Sequence, residues 1–430
     1  MKKTAIALCI LSPITYVNAG VIDFLKDSDH TFKLQNTYDD TRSGRYDRTG
    51  KSDLLNWAQS ATYDFDSVYA ADHYGFNLSL LAVEPIDTGD AFLAKQYFKV
   101  KVDDNGKRSA EGFNKFTQAF LKQKFTTDNN TNINLYEGLR VLKNFGAVTR
   151  DGDITDSAYM GVTADIDSEN WNFKAGYLTA YTTPNDPDVD DLKTKDQKEI
   201  DFIYTVAAEY KNGGQSFQYH IGEGQDYVRS QFFGYSKQLT AKKVSAKVFH
   251  AQALSKYKAQ SARNRFFDDN AYIAEIKTDF FLPSGVFTVG YAYVSADRKN
   301  SLGRFENNLS GNSKGNDNTI ANGVSKDFYN DQENVISLNY FHRYSQEVKF
   351  GLLARYGFGF EYQGQDLYEY EVGGAVFYTP SDVPGLELSL MGGPNSSIRR
   401  GRDNTPYLDS NGKTSNFDGT TLIAKVSYEF

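Results

Sequence analysis

The chain closes on a strict two-residue alternation. Between Thr420 and Phe430, Leu422, Ala424, Val426, Tyr428 and Phe430 share one face, and Ile423, Lys425, Ser427 and Glu429 share the other. Successive side chains of an extended strand point to opposite sides, so this segment predicts a strand with one apolar and one largely polar face. The same period recurs upstream. Trp171, Phe173, Ala175, Tyr177, Thr179 and Tyr181 fall on one face, as do Met160, Val162, Ala164 and Ile166. Phe202, Tyr204, Val206, Ala208 and Tyr210 are read as outward with Glu209 inward. Phe287, Val289, Tyr291 and Tyr293 share a face, and Phe350, Leu352, Ala354, Tyr356 and Phe358 point outward with Arg355 inward. Strands are expected near 31–39, 55–65, 73–83, 114–125, 131–140, 158–166, 170–181, 201–211, 215–222, 228–238, 242–253, 271–280, 285–296, 335–341, 348–358, 369–379, 386–392 and 420–430. That makes eighteen, or sixteen if the least regular segments, 114–125 and 131–140, are not strands.

The connections between these segments mostly alternate in length. Short turns are expected at 66–70, 126–130, 167–169, 212–214, 239–241, 282–284, 342–346 and 380–385. Long loops fall near 40–54, 84–113, 141–157, 182–200, 254–270, 297–334, 359–368 and 393–419, and only the connection near 223–227 breaks the rule. A barrel inserted from one side has short turns on one rim and long loops on the other, whereas a soluble sandwich has no reason to segregate them. The expectation is a single all-β domain, a transmembrane antiparallel β-barrel with short periplasmic turns and some external loops folded inward. Closure removes sheet edges and pairs every backbone donor inside lipid.

Composition supports the same class. Aromatic residues make up 15%, with 30 Tyr and 31 Phe but 2 Trp, which suits strands whose alternate positions meet lipid and its interfaces. No run of about eighteen apolar residues offers a spanning helix. At the N-terminus, Lys2 and Lys3 precede an apolar stretch, Ala5 to Tyr16, and then Val17-Asn18-Ala19. This predicts a signal peptide over 1–19 and a mature barrel over 20–430. The only cysteine, Cys9, would leave with the leader, so no disulfide or thiolate metal site is expected. The formal charge of −8, or −10 without Lys2 and Lys3, argues against nucleic acid as a partner.

Several short stretches, in order along the chain, resemble the OprD-type outer-membrane porins, in their carboxylate-channel and chitoporin-like branch. They are Phe24-Leu25-Lys26-Asp27-Ser28, Trp57-Ala58-Gln59, Asp64-Phe65-Asp66-Ser67 with Tyr69, and Asp226-Tyr227 with Gln231-Phe232-Phe233. Ala321-Asn322-Gly323-Val324 with Asp327-Phe328, and Leu353-Ala354-Arg355-Tyr356, complete the set. The resemblance implies an eighteen-stranded Gram-negative outer-membrane barrel, narrowed by infolded loops. One wall carries a basic ladder and faces acids, and the pore passes small carboxylates, basic amino acids or, in some members, chitooligosaccharides. It places Arg355 on the ladder, Arg150 at the constriction in the third external loop, and Asp327 on the acidic side of the seventh. A one-residue gap leaves Asp317 and Asn316 as alternatives there. Gln35, Ser389 and Met391 stand where members often carry arginines, so the ladder is thinned.

A pore selects by its width and the charges on its wall. Inward bases by alternation are Lys33, Lys174, Lys247, Lys277, Arg355 and Lys425; inward acids are Asp165, Glu209, Glu275, Asp279 and Glu429. The expected constriction set is Arg355, Arg150, Lys174, Asp317, Asp327 and Lys425, each weighed against being an ordinary solvated lumen residue. Inward aromatics for an oligosaccharide track would be Tyr159, Phe249 and Phe341. Phe430 and Tyr428 are read as a terminal signal for the barrel-assembly machinery. Asp186, Asp188, Asp190 and Asp191 lack any fixed ligand spacing, and Arg399, Arg400 and Arg402 suggest a mouth or lipopolysaccharide contact. Gly311-Asn312-Ser313-Lys314-Gly315 fits G-x-S-x-G by chance, without the strand–turn–helix that exposes a nucleophile. The expected partners are small solutes, outer-membrane lipid and lipopolysaccharide, in a monomer or trimer. No cofactor, metal or enzymatic activity is implied. A barrel acting as an adhesin or receptor through its loops is the rival of another class.

Overall fold

The computed structural model describes residues 27–43, 55–89, 97–106, 108–152, 154–299, 301–401 and 404–430. The expected leader and cleavage site, Phe24 to Lys26 and Arg402 lie outside them. Eighteen strands form one closed antiparallel barrel. They are β1 (Asp29–Thr41), β2 (Leu55–Asp66), β3 (Tyr74–Thr88), β4 (Phe113–Thr126), β5 (Asn132–Arg140) and β6 (Ala158–Ser168). Next come β7 (Trp171–Thr182), β8 (Ile203–Asn212), β9 (Gln215–Gly224), β10 (Val228–Gln238), β11 (Lys242–Ala253) and β12 (Asn270–Leu282). The last six are β13 (Gly285–Ser295), β14 (Asn334–Arg343), β15 (Val348–Tyr362), β16 (Gln365–Tyr378), β17 (Leu386–Ile398) and β18 (Asn416–Glu429). Each strand pairs with its sequence neighbour, and β1 closes the ring on β18 from Lys33↔Glu429 to Thr41↔Thr421. Phe32 and Phe430 exchange backbone hydrogen bonds of 2.9 Å, so the last residue of the chain completes the seam.

Both irregular segments, near 114–125 and 131–140, are full barrel strands, which fixes the number at eighteen. Alternation sorts the faces as expected: Leu422, Val426, Tyr428 and Phe430 are exposed toward lipid, as are Phe287, Val289, Tyr291 and Tyr293. Tyr181 is a correction. A β-bulge shifts β7 against β6 between Met160 and Gly161, and a bulge adds a residue that reverses the facing of those beyond it. Tyr181 therefore turns inward and is buried against Tyr159.

Two expected long loops are shorter than read. Residues 359–368 are almost entirely strand, with Gly359 (φ +74°) at a second bulge and Gln363-Gly364 as a two-residue turn, φ +52° and +74°. Positive φ at both central positions is the hairpin turn that matches strand twist. Similarly, β17 runs on to Ile398, leaving 399–415 as the connection. The glycines and polar residues that suggested loops serve a bulge, a tight turn and the lumen face.

Most buried apolar side chains lie inside the barrel, under the external loops. The largest cluster joins Phe145, Ala147 and Val148 of the third loop to Phe305, Leu309, Ile320, Ala321 and Phe328 of the seventh, against Ile203, Phe249, Ile273 and Val335 of the wall. A smaller one seats Tyr97 and Phe98 of the second loop on Ala58, Leu81 and Val83. Infolded loops thus carry the core that a water-filled barrel otherwise lacks.

Candidate pore constriction

The third loop (141–157) and the seventh (296–333) are stitched together across the lumen. Asn316 donates from its backbone to the Ala147 carbonyl and from Nδ2 to the Gly146 carbonyl, both at 3.0 Å. Thr149 N–H donates to the Lys314 carbonyl at 3.1 Å, and the Tyr159 hydroxyl donates to that carbonyl at 2.7 Å. Gly224 on β9 lets the seventh loop approach, because a Cβ there would collide with the Leu309 carbonyl.

Wall charges hold the seventh loop in place. Glu371 on β16 accepts from the Val324 and Ser325 N–H groups and the Ser325 hydroxyl at 2.8–3.1 Å. Arg355 on β15 donates from Nε to the Ile320 carbonyl at 2.9 Å and from Nη1 to Glu371 at 2.6 Å. Glu275 on β12 accepts from Ile320 N–H at 2.8 Å and from the Thr319 hydroxyl, and Lys247 on β11 donates to the Asn318 carbonyl at 2.5 Å. A buried network ties down the loop's far end. Glu369 receives Arg400 Nη2 at 2.5 Å, Ile398 N–H at 2.8 Å and Asn330 Nδ2 at 3.1 Å, with the Lys326 ammonium 3.6 Å away.

Glu333 joins that network by accepting the Asn330 N–H at 2.9 Å and its Nδ2 at 2.8 Å. Burial, helped by the neighbouring Glu369 charge, pushes the Glu333 carboxyl up to about 8. Burial also draws Lys326 down to about 8, against the opposing pull of Glu369 and Glu333. A carboxyl held above its free value favours the anchored loop at low pH, and that contribution fades as pH rises toward 8. A lysine held below its free value favours the anchored loop only above about 8. Anchoring should therefore be weakest near pH 8 and tighten toward pH 5, and open-channel current noise is expected to fall over that range. Noise independent of pH would count against it.

Between the two loops lies a cavity of about 430 Å³ lined by Lys143, Arg150, Lys314, Lys326, Asp151, Asp317 and Asp327, among others. Three of the expected constriction residues, Arg150, Asp317 and Asp327, meet here. Lys314 sits at their centre, 2.7 Å from Asp317. Burial disfavours its ammonium, yet the carboxylates of Asp317, Asp327 and Asp151 outweigh that and hold its pKa above the ordinary lysine value. Arg304 pairs with Asp327 at 2.6 Å, and Arg150 pairs with Asp156. A second cavity of about 170 Å³, bordered by Arg304, Glu306 and Arg400, shares Lys314, Asp317 and Asp327 with the first.

The other expected residues sit elsewhere. Arg355 points inward, but its guanidinium is bound to the loop and to Glu371. Lys174 lies on the lumen wall, its ammonium 6.0 Å from the Phe145 ring. Lys425 lines a cavity toward the short-turn rim. Asn316 is buried and joins the loops, while Asp317 faces the cavity. Tyr159 and Phe249 are buried under the loops, and only Phe341 of the aromatic trio is open to the lumen, at 46% exposure. Arg400 is buried against Glu369 instead of reaching lipopolysaccharide, and Arg399 stacks over Phe417. Lys193 pairs with Asp190 in the acidic fourth loop, and no three His, Cys, Asp or Glu among the described residues are placed to hold a metal. Ser313 lies in irregular loop, where its hydroxyl accepts the Ser310 N–H.

Lys314, Glu371, Glu369 and Lys326 escaped the sequence reading. Lys314 sits in a low-complexity run with no period to orient it. Glu371 and Glu369 do alternate with outward Tyr370 and Val372, a signal that was present in the strand pattern.

A family profile described as outer membrane porin, OprD family, matches residues 22–352. The chain belongs to the OprD family of outer-membrane porins. It is similar in fold to OpdK of Pseudomonas aeruginosa, at 15% identity over 95% of this chain and 99% of that one, TM-score 0.69. It is likewise similar to OccAB3 of Acinetobacter baumannii (14% identity, 94% and 100% covered, TM-score 0.72) and to OccK8 (OprE) of P. aeruginosa (16%, 95% and 99%, 0.72). No curated sequence relative matches. Family and fold are those of passive porin channels in the Gram-negative outer membrane, so the infolded loops of this OprD-family barrel stand across a solute path.

Proposed function

We propose that this porin admits small carboxylates and amino acids by passive diffusion, with the cavity between the third and seventh loops as its selecting point. The observation that carries the reading is the close opposition of charge there: Lys143, Arg150, Lys314 and Lys326 against Asp151, Asp317 and Asp327. Cations attract a carboxylate, and the facing acids receive an ammonium on the same solute. Arg355 acts as an anchor of the seventh loop, while Arg150 and Lys314 guide the anionic group. Lys174 and Lys425 act farther along the wall. OpdK, one of the structural relatives, has been solved with vanillate, which supports a carboxylate. Single-channel recordings in KCl with titrated benzoate, arginine and chitooligosaccharide test the reading. Blocking by benzoate or arginine is expected. Blocking by the sugar alone, or no openings from folded protein, would turn the assignment to a sugar channel or a loop-based receptor.

Assembly is part of the same proposal. The Phe430 ring stacks on Phe32 and Tyr428, with centroids 5.7 and 5.4 Å apart, at the barrel seam. Phe430 and Tyr428 are read as the signal for the barrel-assembly machinery. Phe430→Ser should lower the amount of heat-modifiable barrel in the outer membrane several-fold. An unchanged amount would remove the role.

A further inference from the structure

The strand register sets an unexpected apolar row on the lumen wall. Cross-strand partners lie on one face, and the pairs Phe281↔Val286, Val286↔Phe341, Ala375↔Met391 and Met391↔Ile423 join through Gly351 into one line across β12 to β18. All share a face with Glu275, Arg355 or Lys425, so all point inward. Phe281 is one residue from the end of its strand, whereas Ile423 is six from the end of β18, so the row climbs from the short-turn rim toward the seventh loop. Gly351 gives the Phe341 ring its place, because a Cβ there would strike that ring, and Phe341 reaches Phe377 with centroids 6.5 Å apart.

One step nearer the rim runs a second line, Arg343↔Lys349, Lys349↔Phe377, Phe377↔Ser389 and Ser389↔Lys425. Rows on one strand face are two residues apart, about 6.8 Å, within reach of a lysine stem. Phe281, Val286 and Phe341 of the first row and all of the second border a cavity of about 950 Å³, which the carboxylates of Glu347 and Glu387 also line. On the adjoining arc of wall, from β8 to β12, a cavity of about 800 Å³ is lined by Lys211, Gln218, Ser236, Lys243, Ser245 and Lys277, with Tyr235 as its one large apolar side chain. Phe341 and Phe281 are 46% and 41% exposed, so they face the lumen instead of filling a core. Met391 in this row is one of the positions where OprD-type porins often carry arginine, and its departure from the ladder has a structural sense here.

We propose that these paired rows form an exit-side strip for amphipathic monocarboxylates, the apolar or aromatic body lying on Phe341, Phe281 and Val286 and the carboxylate on Lys349, Arg343 and Lys425. A site that is mostly apolar with a few placed charges suits such a solute. The inference rests on the carboxylate reading above and narrows it to carboxylates with a hydrophobic body.

The test uses the full-length protein in planar bilayers, with benzoate, acetate and benzyl alcohol as probes and heat-modifiability as the check on folding. Benzoate should interrupt the current for about five-fold longer than acetate, the effect expected of burying one ring face. Both Phe341→Ser and Phe281→Ser should cut that ratio at least about three-fold. Equal dwell times for benzoate and acetate in the wild type, or an unchanged ratio in both variants, would overturn the strip and leave the carboxylate reading intact. Benzyl alcohol dwelling as long as benzoate would remove the basic row from it. Current untouched by either carboxylate would sink both readings together.

Discussion

Glu371→Ala is expected to raise the single-channel conductance about two-fold or more and to make the openings noisy. The carboxylate of Glu371 receives two backbone N–H groups and a hydroxyl of the seventh loop, and it neutralises Arg355, whose side chain is largely buried. Removing it strands a guanidinium and three donors in a water-poor site. Breaking a buried pair from one side typically costs about 3–5 kcal/mol. The wall strands are held by their ladders, so that cost falls on the loop, whose segment around Val324 and Ser325 is held to the wall by Glu371. The loop should swing from its seat and open the lumen. Arg355→Ala removes the partner and the grip on the Ile320 carbonyl, and should have a similar, smaller effect. If the two act through one clamp, the double variant will resemble Glu371→Ala alone and fall short of the sum. Additive conductance changes would show independent roles, and unchanged conductance in both would detach the clamp from the pore's width.

Asp317→Asn with Asp327→Asn is expected to move the channel strongly toward anions. Among the described residues, four cations and three anions line the cavity between the loops, and the double variant leaves one anion. Two charges about 8 Å from a permeating ion, at an effective dielectric near 20, each contribute about 2 kcal/mol before screening. Salt and water in the pore reduce that to about 0.5 kcal/mol each, a several-fold change in the chloride-to-potassium permeability ratio. The reversal potential in a KCl gradient reads it directly. Asparagine keeps the shape and the acceptor oxygen, so the loop should hold its seat. An unmoved reversal potential with normal conductance would mean that the ion path avoids this cavity.

Much of the architecture is written in the order of residues. Alternation placed sixteen of the barrel strands and left only 114–125 and 131–140 open, because a wall with lipid on one side and water on the other imposes its period on each strand separately. Loop lengths separated the two rims, since a barrel inserted from one side carries its short turns on one rim and its long connections on the other. Inward placement of Arg355 and outward placement of Phe430 follow from counting by twos. The two-residue count fails where a bulge intervenes, as at Tyr181, since one extra residue inverts everything beyond it and leaves no mark in composition. Gly359 and Gln363-Gly364 were read as loop for the same reason, a glycine serving a bulge or a turn as readily as a long connection.

The site was only partly visible. Arg150, Asp317 and Asp327 could be named through family resemblance, but that Lys314 stands among them depends on a loop with no period. Whether a lumen charge meets solute or holds a loop is likewise hidden from sequence. Arg355 and Lys425 share the same inward pattern, yet one grips the Ile320 carbonyl and the other borders an open cavity. The apolar row from Phe281 to Ile423 is the sharpest case. Its members lie on seven strands up to 142 residues apart, and no pattern along the chain unites them. Local alternation is set by neighbours two residues away and so is legible in the sequence. Adjacency across strands is set by register and barrel closure, and only the tertiary structure decides it.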